Sequence, residues 1–317
     1  MKIILLFLML SSCRPAPGIT LATFTRPSPG IAIATGTAEG TYHDIARDIQ
    51  RVAEKDGIAV ELVQTNGSFD NINLLGSGKV DLAIMQMDVL KFASEVMHME
   101  AGLNVLDELK VVLNLYFEEI HLIARTAGIR SLEQLAGKRV AVGPERSGSA
   151  LTAEVLLAAH SLQVQKFFDP PTEALRKLES GDLDALIFVG GAPVPGFEKL
   201  DKSFHFIELP ASAVLEQIYR KKKIDKTVYP WAGEIEAYSV PSVLMTRARN
   251  DLDYVAAVQK LVLSVLVNKD LLDSTGHAKW RSSFLRSIPP YAGYAPATDV
   301  IQIFNTLESY GYGVVKK

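Results

Sequence analysis

One eight-residue pattern is used twice and constrains this chain more than any other feature. Ser77-Gly78-Lys79-Val80-Asp81-Leu82-Ala83-Ile84 returns as Ser180-Gly181-Asp182-Leu183-Asp184-Ala185-Leu186-Ile187. Upstream of each copy an apolar strand opens into a loop of small residues. Ile31–Ala34 leads into 36–41, and 140–142 leads into 143–149. Strand, polar loop and helix in that order predict an α/β unit with parallel strands and covering helices. Two such units predict two lobes with a cleft between them. A chain of 317 residues is long enough for two domains of roughly 100–150 residues each.

The periodicity places the elements. After 31–34, apolar positions recur at Tyr42, Ile45, Ala46, Ile49, Val52 and Ala53, which is helical spacing. Residues 59–63 read as a second strand, and Thr65-Asn66-Gly67-Ser68 turns into a helix that Gly76 and Gly78 stop. Residues 81–85 form a third strand, with Asp88 placed to cap the next helix. Two further apolar strands are expected at 111–116 and 121–124, and Ser131 with Gln134 fits a capping box. The theme then repeats: a strand at 139–142, a helix at 150–159, a helix at 175–179 and a strand at 185–189 ending in Gly190-Gly191. Residues 242–246 read as a return strand, and 252–272 as one long amphipathic helix packing back on the first lobe. Crossings near residues 120 and 243 make a hinge of two strands.

Charged residues are 22% and hydrophobic residues 48% of the chain, ordinary for a protein with a substantial core. A net charge of −3 gives no global field for nucleic acid or an anionic membrane surface. The run Arg220-Lys221-Lys222-Lys223 is the only dense basic stretch and reads as a solvated helix end. At the amino terminus Lys2 precedes an unbroken apolar run over 3–10, then Ser11-Ser12-Cys13. Eight apolar residues are too few for a membrane span, which takes ~20 in a helix. A charge, an apolar core and small residues before a cut site are the parts of an export signal. Leu10-Ser11-Ser12-Cys13 resembles a lipobox, so 1–12 read as a lipoprotein signal peptide, with Cys13 lipidated and 13–30, rich in proline, as a tether. The chain's only cysteine therefore leaves the mature fold without disulfides.

Open α/β sheets bind ligands at the carboxyl ends of their strands, where loops meet helix starts. Free backbone N–H groups and the helix dipole attract negative charge there, worth ~0.3–1 kcal/mol per exposed helix end. The loops so placed are 35–42, 65–68, Gln86-Met87-Asp88, 143–149 and Gly190-Gly191. Their hydroxyls and amides suit a carboxylate, hydroxyl or amide ligand, and Arg146 is the one cation among them. Tyr42 and Tyr116 are candidates for the cleft wall or for core. The first loop lacks Gly-Lys-Ser/Thr, and Gly36 and Gly40 miss the dinucleotide spacing. His43, His98, His121, His160, His205 and His277 are scattered, with no metalloprotease pair and no Gly-x-Ser-x-Gly. Glu118-Glu119 and Asp182/Asp184 read as solvating or capping groups. No cofactor, metal or nucleophile is expected, and the chain reads as a binder rather than an enzyme.

With these residues in view, the chain resembles the TAXI family, the extracytoplasmic solute receptors of TRAP transporters. The matching segments are Thr35-Gly36-Thr37 with Gly40-Thr41-Tyr42, Thr65-Asn66-Gly67-Ser68 with Asn71, 74–81, and Gln86-Met87-Asp88. Leu115-Tyr116 with Glu118, His121-Leu122, Ser131-Leu132, 137–140, 143–149 and 181–184 continue it, so that it spans roughly 31–270. Two departures are clear. His43 and Asp44 stand where more apolar residues are usual, and 288–294 echo the family's Pro-x-His-Pro-Gly-Ala ending without its histidine.

The resemblance implies a type II periplasmic-binding-protein-like fold: two α/β lobes joined by a two-strand hinge with a ligand cleft between them. Lobe 1 would comprise 31–120 plus 245–317 and lobe 2 would comprise 121–244. The implied function is capture of a small organic acid or amino acid, glutamate-like or dicarboxylate, and its delivery to the permease subunits of an ion-driven transporter. The implied contacts are Thr35, Thr37, Tyr42, Asn66, Ser68, Gln86, Asp88, Ser147 and Ser149, with Gly190 offering backbone. Partners would be an anionic or zwitterionic small molecule and the permease, not nucleic acid, and the membrane would be touched only through the lipid on Cys13. The location would be periplasmic or extracytoplasmic. A ligand-binding module feeding a sensor, and an enzyme on the same two-lobe fold, stay open as alternatives.

Overall fold

The structure, a computed structural model, describes residues 30–93, 108–283 and 285. The signal peptide, Cys13, nearly all of the tether and the carboxyl-terminal segment 288–294 lie outside the described residues.

In the first part of the chain β1 (Ile31–Ala34) pairs in parallel with β2 (Val60–Val63) and with β3 (Leu82–Gln86). Helix α1 (Thr41–Lys55) and helix α2 (Ser68–Gly76) make the crossovers. The second part repeats this, as β5 (Arg139–Ala141) pairs in parallel with β6 (Gln165–Phe167) and β7 (Ala185–Gly190). Its crossovers end in α4 (Gly148–Ala159) and α5 (Pro171–Ser180), with helix α3 (87–93) following β3 in the first part. Pro171 stands in the first turn of α5, where no amide partner is needed, and Gly181 ends it at φ 83°, the left-handed position glycine tolerates.

Two long strands join the halves. β4 (Leu109–Arg125) and β10 (Ile235–Arg247) are antiparallel neighbours from Leu109↔Arg247 to Glu119↔Ser239. β10 pairs with β3 through Ser242–Thr246, while β4 pairs with β7 through Glu119–Ala124. The path of the sheet is β2-β1-β3-β10-β4-β7-β5-β6, with β8 (Phe204–Phe206) beside β4 and β9 (Arg220–Ile224) beside β10. The crossings expected near residues 120 and 243 therefore lie within these two strands. Pro241 is tolerated inside a central strand because a register shift falls between it and Val243.

Packing explains the helices. The face of α1 carrying Ile45, Ala46, Ile49, Val52 and Ala53 is buried against α6 (Leu252–Val267), whose Leu261, Val262 and Val265 join the same cluster with Ile33 and Ile84. Fully burying one such side chain contributes about 1.5–3 kcal/mol.

Four expectations are corrected. Segments 111–116 and 121–124 are one strand, because Glu118 and Glu119 between them are buried rather than looped out. The basic run 220–223 is not a helix end but edge strand β9, with Lys221 paired to Glu236 on β10 and Lys223 to Glu234 just before it. Lysines on an exposed edge discourage pairing with another chain. Segment 252–272 is two helices, since Asn268 ends α6 and begins α7 (Lys269–Thr275). Asp88 lies inside the first turn of α3 rather than before it, although its Oδ1 does accept from Val89 N at 2.9 Å.

Candidate functional site

Each parallel strand runs into its loop toward the same edge, so the starts of α1, α2, α4 and α5 converge. Thr41, Ser68, Gly148 and Pro171 all line one cavity of about 50 Å³ between the halves. The first N–H groups of a helix have no partner within it, and the dipole adds positive potential. Four helix starts on one cavity make a site for a negatively charged group. A cavity of ~150 Å³ is what benzene fills, so the cavity as it stands is too small for a guest of amino-acid size.

Most of the residues expected at the site meet there: Thr37, Tyr42, Asn66, Ser68, Gln86, Ser147, Ser149 and Gly190 line the cavity. Their polar atoms are held in place. Tyr42 Oη lies 3.3 Å from Ser68 Oγ, which accepts from Gln86 N at 3.1 Å. Ser147 Oγ caps α4 by accepting from Ala150 N at 3.1 Å, and Ser149 Oγ accepts from Val189 N at 3.0 Å. Gly148 marks a close approach between the halves, because a Cβ there would stand 1.8 Å from Gln86 Oε1.

Thr35 and Asp88 do not line the cavity. Thr35 is fully buried and its hydroxyl donates to Val63 O at 3.2 Å, tying β1 to β2. Asp88 Oδ2 accepts from Thr152 Oγ1 at 2.7 Å and Tyr219 Oη at 3.0 Å. Burial pushes the Asp88 carboxyl upward, and these donors offset part of the rise. Both Thr152 and Asp88 also engage the Gln86 side chain, so they fix it from behind. Tyr116 is core rather than wall, and Phe188 lines the cavity instead.

Outside the cavity a wider groove is lined by Thr37, Glu39, Asn66, Asp70, Arg146 and Pro170 among others. Arg146 Nε meets Asp70 Oδ1 at 2.5 Å, and Thr172 Oγ1 donates to Glu39 Oε2 at 3.2 Å. These contacts join loops of opposite halves across the mouth. The one loop cation is thus committed to a protein carboxylate. Arg146 also holds φ at 64°, an uncommon conformation for a residue with a Cβ.

The glutamates read as solvating groups are neither solvated nor caps. Glu118, on β4, is 1% exposed, lines the cavity, and its Oε1 has no hydrogen-bond partner among the described residues. Burial drives its carboxyl well above the usual range, and the Tyr42 hydroxyl offsets part of that. Asp88 and Glu119 push it higher, while Lys279 pulls it back. Glu119 is held by Lys279 Nζ at 2.5 and 2.7 Å and accepts from Ala192 N at 2.9 Å. The available signal was a carboxylate pair inside an otherwise apolar run, Leu115-Tyr116-Phe117-Glu118-Glu119-Ile120. His121 is a core histidine: burial lowers it to about 3, and its ring meets Tyr229 Oη and Glu119 O, each at 2.9 Å. Among the described residues no cluster of three metal-ligating side chains occurs, and no helix is long and apolar enough to cross a membrane.

This topology is shared with solved structures of low sequence identity. A periplasmic transporter aligns at 12% identity over 91% of this chain and 96% of its own, with a TM-score of 0.55. A protein of Bordetella bronchiseptica RB50 aligns at 14% identity over 88% and 89%, with a TM-score of 0.51. An ancestral arginine-binding protein bound to arginine aligns at 18% identity over 82% and 100%, with a TM-score of 0.48. The mixed α/β fold is of the type II periplasmic-binding-protein kind. The profile of the NMT1-like family matches residues 33–283, and the chain belongs to that family.

Proposed function

We propose that this protein is an extracytoplasmic solute-binding receptor that captures a small organic acid or amino acid between its lobes. The observation that carries the reading is the convergence of four helix starts, two from each matched half, on one cavity lined by hydroxyls and amides. The NMT1-like family match and the fold shared with a periplasmic transporter support it. The described residues of 31–120 and from 245 on form one lobe and 121–244 the other, hinged in β4 and β10. A guest touching both lobes binds the closed form better and shifts the population toward it. Thr37, Tyr42, Asn66, Ser68, Gln86, Ser147, Ser149 and Gly190 make the contacts, and Thr35 and Asp88 act from behind them. The resemblance to TAXI receptors extends the reading: the ligand is glutamate-like or a dicarboxylate, and the closed form delivers it to a TRAP-type permease. The receptor is held at the membrane by lipid on Cys13.

Calorimetry on the purified protein with amino acids and dicarboxylates tests this. One site is expected, weakened in Asn66→Ala and in Ser147→Ala. Full affinity retained in both variants would remove these loops from the site.

A further inference from the structure

Glu118 sits oddly in a site built for anions. Four helix starts favour negative charge, yet the same cavity holds a carboxylate that is 1% exposed, with Oε1 unpaired among the described residues. An unpaired buried polar atom is costly unless something completes it. Its neighbours do not supply that. Lys279, the cation nearby, is engaged by both oxygens of Glu119. Arg146 is paired with Asp70 at the mouth. Asp88 is satisfied by Thr152 and Tyr219, while Tyr42 Oη is shared with Ser68 Oγ. Tyr116, two positions earlier on β4, is buried, and burial pushes its hydroxyl well above the ordinary value, so it stays neutral. Among the described residues, no cation is free to complete Glu118 from within the cavity.

We propose that Glu118 receives the ammonium group of the ligand while the helix starts receive its carboxylate, so that the guest is a zwitterionic amino acid and not a dicarboxylate. This rests on the solute-receptor reading and narrows its ligand class. Burial holds the Glu118 carboxyl above the usual range in the free protein. Tyr42 and Lys279 lower it, and Asp88 and Glu119 raise it. An ammonium beside it favours the charged form. Between the ordinary carboxylate value of about 4.3 and the raised one, binding therefore converts Glu118 from acid to carboxylate, and the proton leaves to the buffer. The ligand keeps its own proton, so charge and atoms balance.

The test panel is the protein amino acids, their 2-oxo and des-amino counterparts, and four- and five-carbon dicarboxylates. Titration of the wild-type protein in two buffers of different ionisation enthalpy, from about pH 5 to about pH 8, reads the proton release directly. The proposal expects an amino acid to bind with a proton released and its amine-free counterparts to bind far more weakly. Glu118→Gln, with folding checked by thermal unfolding, should lose about tenfold to a hundredfold for the amino acid. It should also abolish the buffer dependence. Binding of 2-oxo acids or dicarboxylates in preference to amino acids, or an unchanged affinity in Glu118→Gln, would overturn the ammonium role and leave the receptor standing. Binding of nothing in the panel would overturn the receptor reading itself.

Discussion

In the first half of the sheet, Asp81 Oδ2 accepts from Ala32 N at 2.9 Å, and the Asp81 amide donates to Ala32 O at 3.0 Å. In the second half, Asp184 Oδ2 accepts from Arg139 N at 2.9 Å, and the Asp184 amide donates to Arg139 O at 2.9 Å. The repeated motif is therefore a fastener: its aspartate pins the start of one parallel strand to the next. What surrounds the fastener differs. Asp81 is met by residues returning from the far end of the chain. Tyr254 Oη donates to its carbonyl at 2.8 Å, and Arg249 lies 3.5 Å from its carboxylate. Asp184 is met by the strand it pins, through the Arg139 guanidinium at 2.9 Å. The second half closes on itself, while the first half is completed by Arg249 and Tyr254 from later in the chain. A site formed between such halves depends on what ties them together as much as on either half.

The largest effect is expected at the buried ion pair beside the hinge, where Glu119 on β4 meets Lys279. Glu119 and Lys279 are a buried pair, and removing one partner leaves an uncompensated charge. Lys279→Met should cost about 3–5 kcal/mol in chemical denaturation, with Glu119→Gln added to it recovering much of the loss. A small effect would mean that the pair contributes little to the packing of β4.

The fasteners come next. Asp81→Asn and Asp184→Asn should each cost about 1.5–3 kcal/mol, the range for hydrogen bonds to a charged group. Their pH behaviour sharpens the comparison, because the Arg139 guanidinium holds Asp184 below the usual carboxylate range. With a depressed value in the folded state, its contribution is full above the ordinary value of about 3.9 and is lost as pH falls through the folded value. The gap between wild type and Asp184→Asn should therefore shrink in acid.

Glu118 carries the opposite sign. Its raised value makes its contribution fullest below the ordinary 4.3 or so, and that contribution is lost as pH rises through the folded value. Without ligand, Glu118→Gln should match the wild type in acid and exceed it by about 1 kcal/mol at neutral pH. Thermal unfolding across that range checks both the sign and the crossover. Smallest of all is the edge strand: Lys223→Ala removes an exposed pair on β9, and its denaturation midpoint should not move measurably.

Much of this architecture was legible because local pattern and tertiary role agree. The short apolar runs around Ile33 and Leu82, the helical face of Ile45, Ile49 and Val52, and the loops at 36–41 and 143–149 all carry their own signal. The cavity loops were legible for the same reason, since hydroxyls and glycines at helix starts are local chemistry. What escaped was long-range. Glu118 and Glu119 look like a solvated pair until Lys279, far away in sequence, is brought against one of them. The run 220–223 looks like a helix end until Glu234 and Glu236 lie opposite it. Asn268 breaks a helix without disturbing the apolar spacing on either side.

The central claim is that two halves close on a small charged guest by bending in β4 and β10. Nitroxide labels at Glu54→Cys and Glu179→Cys, on exposed helix ends of opposite halves, read the distance between them by pulsed electron resonance. The account predicts two distance populations in the free protein and collapse to the shorter one when the amino acid found by calorimetry is added. One distance, unmoved at saturation, would contradict it.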